Sequence, residues 1–133
     1  MTWDAGHEFE TKSYDVTRGD LIRYAGASGD FNPIHWSDRV ATSVGLPGVV
    51  AHGMYTLALA SRALTGWVGD PARVVTFGGR FTKPVVVPDD DQGTTVSVSG
   101  VVTGVVEGTA TVDLTVTNAG QKVLAMTRAT VRC

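Results

Sequence analysis

The stretch HGMYTLALASRALTGW, residues 52–67, decides how the chain folds. Met54, Leu57, Ser61, Leu64 and Val68 recur at three- and four-residue steps, while Ala58, Ala60 and Ala63 keep the other faces small. The spacing predicts a helix apolar nearly all round, and such a helix is expected to be buried nearly all round. Upstream, from Tyr14, the spacing is also helical. A first helix opens in VTRGDLIRYAGASG, with Thr17 as cap, Asp20 as its capping-box partner, and Leu21, Ile22, Tyr24 and Ala25 as the buried face. A short second helix is expected from near Ser37 to Gly45. Downstream the period falls to two. TTVSVSGVV, TATVDLTVT and KVLAMTRATVR are rich in Val and Thr, with Val112, Leu114 and Val116 expected inward and Thr111, Asp113, Thr115 and Thr117 outward. VEGT and TNAGQK read as hairpins. ARVVTFGG and RFTKPVVVPDD are two further extended runs, in which Pro84 requires an edge or a bulge. One buried helix followed by four or five antiparallel strands implies an α+β fold, a sheet wrapped around that helix, in one domain over residues 1–133.

Composition narrows the function classes. The 133 residues carry 11 basic and 13 acidic side chains, a formal net charge of −2, and the longest like-charge run is the short PDDD at 88–91. That balance argues against nucleic acid or an anionic membrane as the main partner. The single cysteine, Cys133, has no partner for an internal disulfide, which fits a reducing compartment. MTWDAGHEFE lacks the basic region and apolar core of a signal peptide, and Gly53–Val68 is short for a membrane span and contains Arg62. A cytoplasmic location is expected.

Between the first two helices lies SGDFNPIHW, residues 28–36. Pro33 restricts Asn32 to extended geometry and forces a turn, so Asp30 and His35 can face one small volume. A carboxylate and an imidazole sharing a water or flanking one substrate carbon can perform both halves of a proton relay, with Asn32 fixing orientation. Taken alone, the loop reads first as a structural Asx turn, with Asp30 as acceptor and His35 half exposed, and does not by itself indicate an enzyme. A second feature is AHGM, residues 51–54, which puts the Gly53 amide at the start of the long helix. Unpaired N–H groups and the macrodipole there favour developing negative charge, and glycine admits a carbonyl oxygen close to the backbone, as an oxyanion hole requires. An ordinary helix entrance is the alternative. A metal site from Asp30, His35 and His52 is conceivable, but no close-spaced histidine pair is present, and no metal is expected.

YAGASGDFNPIHWSDRVA, residues 24–41, resembles the hydratase-2 motif of the MaoC-like, (R)-specific enoyl-thioester hydratases and dehydratases. The resemblance continues through HGM at 52–54 and RFTKPVVVPD at 80–89. It is nearest to catalytic subunits of mycobacterial type II fatty-acid synthase dehydratases, through GDFNPIHW, AHGM and GWVGDP. It implies the hot-dog fold, an antiparallel sheet around a long helix, and reversible hydration of trans-2-enoyl thioesters, or dehydration of (3R)-hydroxyacyl thioesters, without a cofactor. Carried over by position, Asp30 and His35 are the catalytic pair, Asn32 orients the loop, the Gly53 amide polarises the thioester carbonyl, and Ser61 matches a position that hydrogen-bonds near the acid. Leu57 and Leu64 are expected to line the acyl tunnel, although core packing accounts for them as well. The implied carrier is coenzyme A or acyl carrier protein, and the implied assembly is a homodimer or a heterodimer with another hot-dog subunit. A hot-dog thioesterase and a non-catalytic acyl-binding partner are the alternative functions.

Overall fold

The computed structural model describes residues 2–133. In chain order the elements are β1 (Lys12–Val16), α1 (Arg18–Ser28), α2 (Asp38–Ser43), α3 (Gly53–Val68), β2 (Val74–Phe81), β3 (Thr94–Val106), β4 (Thr109–Asn118), the two-residue β5 (Gln121–Lys122) and β6 (Leu124–Arg132). All strand pairings are antiparallel, in the order β1-β3-β4-β6-β2, with β5 paired to β4.

The alternation in β3 and β4 becomes register. Val98 pairs with Val116 and Val102 with Val112, so each valine faces α3 together with its cross-strand neighbour. The β3–β4 hairpin turns on Glu107 and Gly108, both at positive φ (50° and 76°), the combination that matches the strands' own twist. Val96, Val98, Val102, Val112, Val116, Ala129 and Val131 close over Leu59, Ala60, Ala63, Leu64 and Val68 of α3 in one apolar core.

Three expectations are corrected. The buried side of α3 is Thr56, Leu59, Ala60, Ala63, Leu64 and Val68, whereas Met54 is 58% exposed and Ala58 and Arg62 are exposed above it. The sheet therefore covers one side of the helix and leaves a stripe uncovered, because one sheet layer has only one face to offer. Ile22 is exposed, so Leu21 and Ala25 alone form the fully buried face of α1. The N-terminal part is not all helical. Residues 12–16 pair with β3, and KSYDV is too short for its own period to show this. The capping box is as expected: the Thr17 side chain accepts the Asp20 N–H and the Asp20 carboxylate accepts the Thr17 N–H at 2.9 Å.

After β2 the chain leaves the sheet at Thr82 and runs beside the segment that precedes α3. Ala51 N–H donates to the Val85 carbonyl and Val87 N–H to the Val49 carbonyl, each within 3.0 Å. Pro84, which has no N–H to donate, sits in this irregular connection and not in a strand. Asp38 ties the same segment to both small helices, accepting from Val49 N–H at 2.9 Å and from the Arg18 guanidinium at 2.9 and 3.1 Å. Those bonds hold the Asp38 carboxyl below the usual carboxylate range, the Val49 amide contributing most.

Candidate active site

The 28–36 loop is built from short-range bonds. Gly29 ends α1 in the left-handed region, at φ 76°, where a side chain would be strained. Ser28 Oγ accepts the Asp30 N–H at 3.2 Å, Asp30 Oδ1 accepts the Asn32 N–H at 3.1 Å, and Asn32 Oδ1 accepts the Ile34 N–H at 3.2 Å. Trp36 Nε1–H closes the loop on the Phe31 carbonyl at 3.0 Å. Asn32 thus caps the short 3-10 helix Pro33–His35 that carries His35 inward.

The two oxygens of Asp30 are differently placed. Oδ1 is the Asx-turn acceptor, while Oδ2 lies 3.8 Å from His35 Nε2. The expected half exposure of His35 is corrected: the residue is 7% exposed. Its Nδ1 is 2.7 Å from the Val50 carbonyl, and a carbonyl only accepts, so in the neutral ring Nδ1 carries the proton and Nε2 presents a lone pair toward Asp30. A basic nitrogen beside a half-exposed carboxylate can take a proton while the carboxylate handles a second one.

A cavity of about 310 Å³ opens beside His35. His35, Gly53 and Thr56 line it together with Phe81, Val85 and Leu124. Gly53 is the first residue of α3, and no side chain caps this helix, because the His52 ring at the cap position is turned elsewhere. α1 and α2 differ here, being capped by Thr17 and Ser37. The start of α3, with its first amides uncapped by a side chain and the positive end of the helix dipole, therefore lies at the cavity, which Gly53 lines. A Cβ on Gly53 would lie 3.2 Å from the Phe81 ring, so that ring rests against the glycine.

His35 and Gly53 both line the cavity, whereas Asp30 and Asn32 do not: Asp30 stands 3.8 Å from His35, and Asn32 is bonded within the loop. Leu64 is fully buried in the main core, Leu57 packs against that core, and Ser61 is half-buried two turns beyond Gly53. Among the described residues that line the cavity, none of these three appears; Val50, Val85, Val123, Leu124 and Phe81 form its apolar surface instead. These wall residues were hidden in the sequence, since short Val-rich runs read simply as core. His52 reads from the sequence as part of a helix entrance or a conceivable metal ligand, and not as a neighbour that braces the pair. It is 2% exposed, stacks on His35 with ring centroids 3.8 Å apart, and directs Nε2 to the Asp30 carbonyl at 3.1 Å.

Asp30, His35 and His52 offer ligand atoms within 4.8 Å of one another. The two imidazoles are stacked with their planes only 20° apart. Ring lone pairs lie in the ring planes, so two nearly parallel rings do not aim at one ion at bonding distance. The arrangement suits proton transfer and not chelation.

An antiparallel sheet wrapped over one long helix defines the hot-dog class, and His35, beside the apolar cavity, stands 3.8 Å from Asp30 in an arrangement able to exchange protons. Residues 3–122 match the family described as "MaoC like domain", and the chain belongs to that family. Over 73 residues, 55% of this chain, it is 38% identical to 3-hydroxyacyl-thioester dehydratase X of Mycobacterium tuberculosis, of whose length the match covers 25%. A solved MaoC-like dehydratase superposes with a TM-score of 0.94 at 33% identity, over 98% of this chain and 40% of that one. The ChsH1-ChsH2 complex of M. tuberculosis superposes with a TM-score of 0.84 at 23% identity over the full length of both chains, which shows a common fold.

Proposed function

We propose that the chain, as one MaoC-like domain over residues 1–133, catalyses reversible (R)-specific hydration of trans-2-enoyl thioesters and dehydration of (3R)-hydroxyacyl thioesters. The observation that carries this reading is the Asp30–His35 pair, 3.8 Å apart, with the His35 tautomer set by Val50 so that Nε2 is free. In the dehydration direction His35 Nε2 removes the α-proton and negative charge gathers on the thioester oxygen, which the Gly53 amide receives. Asp30, which enters this direction protonated at Oδ2, gives that proton to the departing β-hydroxyl, which leaves as water; the proton taken by His35 then returns to Asp30 across the 3.8 Å gap, so elimination runs on one face and no cofactor takes part. The acyl chain lies along Val50, Val85, Val123 and Leu124. Membership of a family whose relatives include a 3-hydroxyacyl-thioester dehydratase supports the same chemistry.

The thioester is carried by coenzyme A or acyl carrier protein, and the chain works as a dimer with itself or with another hot-dog subunit. A cytoplasmic setting suits such a substrate; among the described residues no helix is long and apolar enough to cross a membrane. The test is the ultraviolet absorbance of crotonyl-CoA. Loss of the enoyl-thioester band with formation of (R)-3-hydroxybutyryl-CoA is expected. Release of free coenzyme A without hydration would make the protein a thioesterase, and no turnover would make it a binding partner.

A further inference from the structure

His52 touches both members of the proposed pair, and the reaction as written uses neither contact. Among the described residues, the bonds made by positions 28–32 otherwise stay within α1 and the loop itself. The bond from His52 Nε2 to the Asp30 carbonyl, 3.1 Å, is the one that reaches another element, the start of α3. The carbonyl accepts, so Nε2 carries the proton. Nδ1 is then a buried acceptor with no partner. The ring is held by Tyr24 at 4.7 Å, edge to face, and by His35 at 3.8 Å, face to face.

We infer that His52 is a positioning residue: its Nε2–H anchors the acid's backbone to α3 and its ring face supports the base, so one side chain sets the separation between Asp30 and His35. The inference rests on reading those two residues as the acid–base pair. Packing alone does not account for a histidine here. An unpaired buried nitrogen lowers stability, and phenylalanine would fill the same aromatic niche without one. What phenylalanine lacks is the donor. Burial, opposed by the bond to Asp30 and reinforced by nearby His35, keeps the His52 pKa below the ordinary imidazole value, so the donor is a neutral ring that adds no competing charge beside the base.

The experiment compares wild type, H52F and H52Q on crotonyl-CoA, with melting temperature measured alongside. A shift on the order of 1 Å at a reacting group can cost about 10²-fold in rate. H52F is therefore expected to melt no lower than wild type yet lose about 10- to 100-fold in kcat, with KM within about twofold. The amide nitrogen of glutamine reaches about as far as Nε2, so H52Q is expected to regain kcat to within about fivefold of wild type. Should H52F not fold, H52N, whose amide nitrogen falls short of the Asp30 carbonyl, takes its place. A wild-type kcat in H52F, or a loss in H52Q equal to that in H52F or H52N, would overturn the inference. Failure of the wild type to hydrate at all would overturn the acid–base reading itself, before His52 enters.

Discussion

Asp30 and His35 differ in what else they do, and that difference makes them separable. Asn at position 30 keeps the Oδ1 acceptor for the Asn32 N–H, so Asp30→Asn should leave the loop and the melting temperature nearly unchanged. Its turnover should fall by on the order of 10² to 10⁴, the range for losing one positioned proton-transfer group. His35→Ala should show a comparable fall in rate together with a lower melting temperature, because the ring is buried and bonded to Val50. The double variant should be scarcely slower than the worse single, since groups acting as a unit lose activity non-additively. Steady-state kinetics on a thioester and thermal melts of the three variants check this. Near-normal turnover in Asp30→Asn would leave the residue as a turn former only.

Helix α3 has two crowded glycine contacts, one at each end, with different consequences. At its start the Phe81 ring rests on Gly53, but Phe81 is 56% exposed and free to swing aside. At its other end Trp67 lies over Gly100 of β3, where a Cβ would fall 2.6 Å from the indole. That indole is stacked on Phe9 at 5.0 Å and donates its Nε1–H to the Glu10 carbonyl at 2.8 Å, so it has nowhere to go. Gly100→Ala should therefore destabilise the chain by about 1–3 kcal/mol, the usual cost of overpacking, as measured by denaturant unfolding. Turnover of the folded fraction should be unchanged, because the contact lies at the opposite end of α3 from Gly53.

The molecule as a whole leaves surfaces that call for cover. β1 and β2 are open sheet edges, and Phe31, Trp36, Met54 and Phe81 are all at least half exposed, with Phe81 at the cavity. Unpaired edges and exposed aromatic side chains mark association surfaces. A dimer, with itself or with a second hot-dog chain, is the expected state at micromolar concentration, measured by light scattering. A strict monomer with full activity at nanomolar concentration would refute that assembly.

Local chemistry made much of this legible in the residue order. Period-two Val–Thr runs produce strands whatever their partners, Thr17 and Asp20 cap α1 through bonds three residues apart, and the Asp30–Pro33 turn closes on itself. The resemblance in residues 24–41 pointed to Asp30 and His35 for the same reason: the loop is a contiguous, self-bonded unit. What stayed hidden depends on distant parts of the chain. The exposed stripe of α3 could not be read, because an apolar helix does not record how many sides a sheet will cover. β1 declares itself only by pairing with β3, more than seventy residues away. The cavity wall at Val85, Val123 and Leu124 and the placing of His52 against both Asp30 and His35 arise where separate segments converge. Backbone propensity and short-range hydrogen bonds act within a few residues and so are written in order; burial, stacking and cavities are properties of elements that meet only after the chain has folded.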